Sequence, residues 1–208
     1  MPGDSDDILH RVSNLQQDDS SQDIYDDWAA DYDRHLLREF GYISPRIAAE
    51  ELDRVLEQKD AQIIDYGCGT GLVGEALAVA GYRRIDGVDV STGMLEQARA
   101  KQVYRELVCA DLTRRIPLQD ECYDAALCIG SMGAGHVGAD HVTEMLRPLR
   151  RGGAFVIILN GSYYHSGGFE AGFRAIEKAG DWSILKLEEF NYMSEMDRPG
   201  WLLVASRT

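Results

Sequence analysis

The sequence predicts an α/β fold, a mostly parallel sheet with helices on both faces. Three observations predict it. Short apolar runs recur from residue 62 onward, stretches of helical period separate them, and glycines or acids stand where the runs end. Strand, helix, strand repetition is the pattern of a parallel sheet covered on both sides.

Residues 1–22 are rich in Asp, Ser, Gln and Asn and carry few apolar anchors, so burial has little to set against the entropy of ordering them. A flexible acidic leader is expected there, followed by a single domain over 23–208 whose first part, 23–60, forms N-terminal cap helices. The first of these follows a Ser20-x-x-Asp23 capping box, with Tyr25, Trp28, Ala29, Tyr32 and Leu36 at three- and four-residue spacing. The second starts at Ser44-Pro45, with Ser as N-cap and Pro at the first helical position, and carries Ile47, Leu52, Val55 and Leu56 on one face.

The parallel strands are predicted at 62–66, 85–90, 106–110, 125–129 and 154–159, with helices near 72–80, 92–101, 139–148 and 168–179. Two further strand-like runs, 182–193 and 201–206, are joined through Arg198-Pro199-Gly200, which predicts an antiparallel hairpin closing the sheet.

Composition bounds the function. The chain has 208 residues, 45% of them apolar, enough for one full core without a disulfide or metal staple. It carries 35 acids against 21 bases, a net charge of −14, which argues against a nucleic-acid partner because such binding draws on clustered Lys and Arg. Residues 1–60 hold 16 of the acids and 6 of the bases, so the acidity belongs mainly to the leader and cap. The apolar run 154–159 falls far short of the roughly 20 residues a membrane helix needs. The acidic start is unlike a presequence, so a soluble, cytoplasmic protein is expected. Cys68, Cys109, Cys122 and Cys128 show no CxxC pair and no ligand spacing; they read as reduced thiols, and no metal is expected.

In open α/β sheets ligands bind outside the carboxyl ends of the strands. After the first strand stands Asp65-Tyr66-Gly67-Cys68-Gly69-Thr70-Gly71-Leu72-Val73-Gly74, where glycines let the backbone approach a ligand and the following helix offers free N–H groups. Asp89 ends the second strand, placed to accept from ribose hydroxyls; its plainer role would be a helix cap, which Ser91 can supply instead. Asp111 and Leu112 end the third, where a carboxylate can accept from an adenine amino group and Leu112 with Val90 can flank the ring.

Two readings satisfy this constellation. Gly69-x-Gly71-x-x-Gly74, with Asp89 twenty residues beyond the first glycine, matches a dinucleotide fingerprint and an NAD-dependent oxidoreductase. Against it, the turn already begins at Gly67, and Asp65 would sit unfavourably beside a pyrophosphate; it suits a positively charged ligand.

The segment Asp65 to Gly71 resembles the D/E-x-G-x-G-x-G signature of class I S-adenosylmethionine-dependent methyltransferases. Gly87-Val88-Asp89, Cys109-Ala110-Asp111-Leu112, Tyr123-Asp124-Ala125-Ala126 and Leu146-Arg147-Pro148-Leu149-Arg150-Arg151-Gly152-Gly153 agree with it. Tyr25-Asp26-Asp27-Trp28-Ala29-Ala30-Asp31-Tyr32-Asp33 and Ser91-Thr92-Gly93-Met94-Leu95-Glu96-Gln97-Ala98 are similar to the methyltransferase-like proteins of the Williams-Beuren syndrome region. The resemblance implies a Rossmann-like seven-stranded sheet with its last strand antiparallel, and S-adenosylmethionine as cofactor. It implies that Gly67, Cys68 and Gly69 line the methionine part, that Asp65 orders the loop and that Asp89 holds the ribose. Val90 and Met94 would pack on adenine, Asp111 and Leu112 would recognise its edge, and Cys128, Ile129 and Gly130 would face the transferred methyl.

On the acceptor side, His136 lies between the fourth strand and its helix and is the candidate general base, although a helix-start or surface histidine is the plainer reading. Tyr163 and Tyr164 either wall a substrate pocket or cover the sheet edge; His35 and His141 fall on helical faces expected to meet solvent. Tyr25 and Tyr32 are candidates to touch cofactor or substrate from the cap. No Asn-Pro-Pro-Tyr type motif follows the fourth strand; Ile129-Gly130-Ser131-Met132 stands there, which favours a small-molecule or an unusual acceptor. The alternative to an enzyme is a non-catalytic module that binds the cofactor.

Overall fold

The computed structural model describes residues 31–133, 137–195 and 197–208, with backbone only at 38 and 39. The expected leader, Tyr25, Trp28 and His136 lie outside the described residues. A short turn of helix over Tyr32–Arg34 widens into a π-turn over His35–Glu39. Then follow α1 (Ser44–Val55), β1 (Gln62–Tyr66), α2 (Leu72–Val79), β2 (Arg84–Asp89), α3 (Thr92–Ala100), β3 (Glu106–Cys109) and β4 (Tyr123–Ile129). A 3-10 turn (Ala139–His141) leads into α4 (Val142–Leu146), β5 (Leu149–Asn160), α5 (Gly161–Ser166), α6 (Phe169–Ala179), β6 (Trp182–Asn191) and β7 (Pro199–Arg207).

The strands make one seven-stranded sheet in the order β3-β2-β1-β4-β5-β7-β6. β1 to β5 pair in parallel, and β7 runs antiparallel to both β5 and β6. This is the Rossmann-like, mostly parallel sheet expected from the sequence. Strand order reverses at β1, so the carboxyl ends of β1, β2 and β4 open into a switch-point crevice.

Alternate residues feed two cores, as the period of a strand dictates. Ile64, Tyr66, Val88, Ala126, Cys128, Phe155 and Ile157 face the side covered by α4 and α6. Ile63, Ile85, Ala125, Leu127, Val156 and Ile158 face α1 and α2. Both faces are therefore dry, which is why these strands read as continuous apolar runs rather than alternating ones.

Three local expectations are corrected, and one helix is added to those predicted. Ser44 is inside α1 rather than its cap: Ile43 is the N-cap and makes no side-chain cap bond, Pro occupying the first turn. The hairpin between β6 and β7 forms, but Pro199 and Gly200 belong to β7, and the turn is closed earlier, where Tyr192 N–H donates to the Arg198 carbonyl at 3.2 Å. The residues after β5 form α5, whose start is capped by Asn160, the side chain accepting from Ser162 N–H. Finally, His35 is 5% exposed; the chain leaves α-helical period there, so a solvent face read from 3.6-residue spacing no longer applies. His141, at 26% exposure, lies half-buried against Asp140.

No helix among the described residues is long and apolar enough to cross a membrane.

Candidate functional site

The crevice is built from the carboxyl ends of β1, β2, β3 and β4 and roofed by residues 31–43. β1 turns into α2 through Gly67, Gly69 and Gly71, all in left-handed backbone with φ of 66°, 53° and 92°. Both Gly67 N–H and Cys68 N–H donate to the Val88 carbonyl, at 2.7 and 3.0 Å, which fixes the loop to β2.

The glycines do not share one reason. A Cβ on Gly67 would run into Ser131, whose hydroxyl donates to the Gly67 carbonyl at 3.0 Å. Gly71 and Gly74 both press on the ring of Tyr104. Only Gly69 has open space in front of it, with nothing among the described residues within 4 Å of a built Cβ. Of the four, Gly69 is the one that offers a cradle to a ligand.

Asp89 ties the loop down from the other side. Its Oδ2 accepts from Gly69 N–H at 2.8 Å and its Oδ1 from Ser91 N–H at 2.9 Å. It is not the helix cap, because Ser91 Oγ takes that role by accepting from Met94 N–H at 3.0 Å. These two bonds place the carboxylate at the crevice end of β2, beside the open backbone of Gly69.

Asp65 is fully buried. Its Oδ2 accepts from the Tyr104 hydroxyl at 2.7 Å, while Oδ1 has no partner among the described residues. Burial pushes its carboxyl up to about 7; the Tyr104 bond pulls the other way, and the nearby Asp89 charge adds to the rise. A buried carboxylate with an unpaired oxygen is costly unless a cation arrives beside it.

The remaining candidates separate. Asp111 is engaged: Thr113 donates to Oδ1 through its N–H (2.8 Å) and hydroxyl (2.7 Å), and Arg114 lies 3.2 Å from Oδ2. Partial burial works against its ionised form, but the Thr113 bonds hold it below the usual carboxylate range. Val90 is half-buried, Leu112 is nearly buried beside Gly67, and Met94 is 2% exposed. The Cys68 thiol points into the sheet against Gly87 rather than into the crevice, so this residue offers only backbone. Cys128 is fully buried on one face of the sheet and Ile129 packs on the other. Their side chains do not stand at the edge where the sequence reading put them; Gly130, exposed and at φ 75°, does.

The roof is held at two ends. Asp33 accepts from the Thr70 hydroxyl at 2.5 Å and pairs with Lys101 at 2.6 Å, and Lys101 also reaches Glu75 at 2.5 Å. At the far end Tyr42 bridges to Met193 and Ser194 N–H donates to the Gly41 carbonyl at 2.8 Å. This brings the Tyr42 hydroxyl over Gly130, 2.9 Å from where a Cβ would stand. Tyr32 is partly buried against Leu36, Phe40 and Leu72. Tyr163 lies on Gly133, its ring 2.9 Å at Cε2 from a built Cβ, while Tyr164 is core, stacked on Trp201 with centroids 4.0 Å apart.

Two side chains escaped the sequence reading: Tyr104 and Tyr42. Each reaches the site from a loop whose local pattern carries no signal; only the glycines they touch hint at a close neighbour. Among the described residues no cluster of three or more His, Cys, Asp or Glu could hold a metal.

A cofactor with a cationic methionine end fits this donor set. It would meet, at Asp65, a buried carboxylate oxygen with no partner among the described residues, open backbone at Gly69 and the carboxylate of Asp89 at the end of β2. The comparisons with known proteins agree. The family described as methyltransferase domain matches residues 64–157. Methyltransferase-like protein 27 of Homo sapiens is 34% identical over 182 residues, covering 85% of this chain and 72% of that protein. The 18S rRNA (guanine-N(7))-methyltransferase of Bos taurus is 33% identical over 84 residues, 40% of this chain and 30% of that protein. A structure of the Haloferax volcanii Trm112 methyltransferase activator in complex with a methyltransferase superposes at TM-score 0.68, with 18% identity, covering 88% of this chain and 97% of that one. The chain belongs to the class I S-adenosylmethionine-dependent methyltransferases, and its cofactor is S-adenosylmethionine.

Proposed function

We propose that this methyltransferase acts on a small, neutral or cationic molecule. The observation that carries the reading is the acceptor side of the crevice. Tyr42 closes over Gly130, Tyr163 lies on Gly133, and Tyr192 meets Tyr42 edge-to-face with ring centroids 6.1 Å apart. A tyrosine wall of this kind suits a compact acceptor with an apolar body. The net charge of −14 disfavours a polyanion. The ribosomal RNA enzyme shares less than half of this chain, so its substrate does not transfer with the fold.

In this reading Gly67 and Gly69 offer backbone to the methionine part, and Asp65 meets its positive charge. Asp89 holds the ribose, and Val90, Met94 and Leu112 flank the adenine with Asp111 at its edge. Gly130 and Ser131 border the methyl. When bound, the cofactor supplies an activated methyl for in-line displacement, so alignment and dryness are the protein's main contribution. Tyr42 and Tyr163 exclude water and orient the acceptor.

The test is a labelled-methyl screen of a metabolite extract beside total RNA. The reading predicts a labelled small product that disappears with Asp89→Ala and diminishes with Tyr42→Ala. Label in RNA and none in metabolites would overturn it.

A further inference from the structure

Tyr104 stands between α3 and β3 and belongs to no motif. Its position is nevertheless firmly set. The next residue, Arg105, grips the nearly buried Asp86 with two bonds, Nε to Oδ1 at 3.1 Å and a terminal nitrogen to Oδ2 at 2.7 Å, and its N–H donates to the Ile85 carbonyl at 2.8 Å. Tyr104 therefore projects the opposite way, under the glycine loop, where Gly71, Gly74 and Gly87 all lack the Cβ that would press on its ring.

Its hydroxyl joins two groups that need a partner. Gly74 N–H, in the first turn of α2 and so without an intrahelical acceptor, donates to it at 3.1 Å. The hydroxyl in turn donates to Asp65 Oδ2 at 2.7 Å. A hydroxyl that accepts one bond donates the next more strongly, so the helix start polarises the tyrosine toward the carboxylate. Among the described residues, the titratable groups that interact with Asp65 are Tyr42, Cys68, Asp89, Tyr104 and Cys128, none of them a cation. Among the described residues, Tyr104 is the side chain that donates to Asp65 and favours its charged form, and Oδ1 has no partner.

We propose that Tyr104 is a positioning residue of the cofactor site, its hydroxyl fixing the Asp65 carboxylate so that the unpartnered Oδ1 stays available to the positively charged cofactor. The proposal rests on the reading that Asp65 serves the cofactor. The ring fills space and the hydroxyl sets charge, so the two functions separate in the variant Tyr104→Phe.

The experiment is titration of S-adenosylhomocysteine, which keeps the ammonium of the methionine part, into wild type, Tyr104→Phe, Asp65→Asn and the double variant between pH 6 and 8.5. Wild-type affinity should fall as pH drops through about 7, where Asp65 takes a proton. In Tyr104→Phe the fall should move to higher pH, with roughly tenfold weaker binding at pH 7 that recovers by pH 8.5. Asp65→Asn should bind weakly without this pH dependence, and adding Tyr104→Phe to it should change nothing further. A loss in Tyr104→Phe that is the same at every pH, or no loss at all, would overturn the role given to the hydroxyl. If Asp65→Asn binds like wild type throughout, the underlying reading of Asp65 fails instead. Should Tyr104→Phe not fold, site-specific fluorotyrosine at the same position keeps the ring and makes a stronger donor; the midpoint should then move down, and an unmoved midpoint would count against the proposal.

Discussion

A Cβ on Gly74 would stand 2.7 Å from Cε2 of Tyr104, so the third glycine of the apparent dinucleotide fingerprint is required by the packing of a tyrosine ring. The same ring bears on Gly71. Gly74→Ala should then act on folding: crowding of this kind costs about 1–3 kcal/mol and lowers Tm by roughly 2–4 °C for each. Gly69→Ala, with open space in front of it but φ at 53°, should cost about 1–2 kcal/mol in backbone strain and at least tenfold in affinity for S-adenosylhomocysteine. Thermal melts and cofactor titrations on the two variants distinguish packing from ligand approach. Equal cofactor loss in both would count against the division.

Asp89 and Ser91 invite a paired comparison because each was a candidate cap and only Ser91 is one. Ser91→Ala should lower stability by about 1 kcal/mol, the usual value of a cap, with cofactor affinity nearly unchanged. Asp89→Ala releases Gly69 N–H and Ser91 N–H together and should weaken cofactor binding tenfold or more. Denaturant unfolding and calorimetric titration measure the two effects separately.

The Asp33 clasp on Thr70 and Lys101 sets the roof over the glycine loop. With Asp33 35% exposed, its loss should reduce global stability by less than about 1 kcal/mol. Its local effect should be larger: in Asp33→Ala, amide hydrogen exchange at residues 31–36 should speed up, and high salt should reproduce part of that change in the wild type. Unchanged exchange would mean the roof is held elsewhere.

Asp65 also gives the cofactor-free protein a pH signature. Its carboxyl is raised by burial from the ordinary range to about 7, so the folded state binds a proton more tightly than the unfolded one. Stability from this group is therefore greatest below about pH 4 and is lost as pH rises from about 4 to about 7. Asp65→Asn should flatten that slope and be the more stable form at pH 8 without cofactor. Melting curves across pH 4.5–8, with and without S-adenosylhomocysteine, check the sign.

What the sequence determined alone was the architecture and the acidic strand ends. The strands are buried on both faces, so their runs are continuously apolar and legible, and β1 occupies the residues expected of it, 62–66. Asp65, Asp89 and Asp111 are legible because strand ends in a parallel sheet converge on one edge. Tertiary structure alone decided what each glycine is for and which side chains complete the site. Tyr104 and Tyr42 arrive from loops far away in sequence, where no period exists to read, and the bond of Ser131 to the Gly67 carbonyl joins two strand ends that only the pairing of β1 with β4 brings together. Cys128 and Ile129 could be placed at a strand end, but their burial on opposite faces followed from the pairing of β4 with β1 and β5. A motif specifies which residues lie near the ligand; the packing around it decides which of them face it.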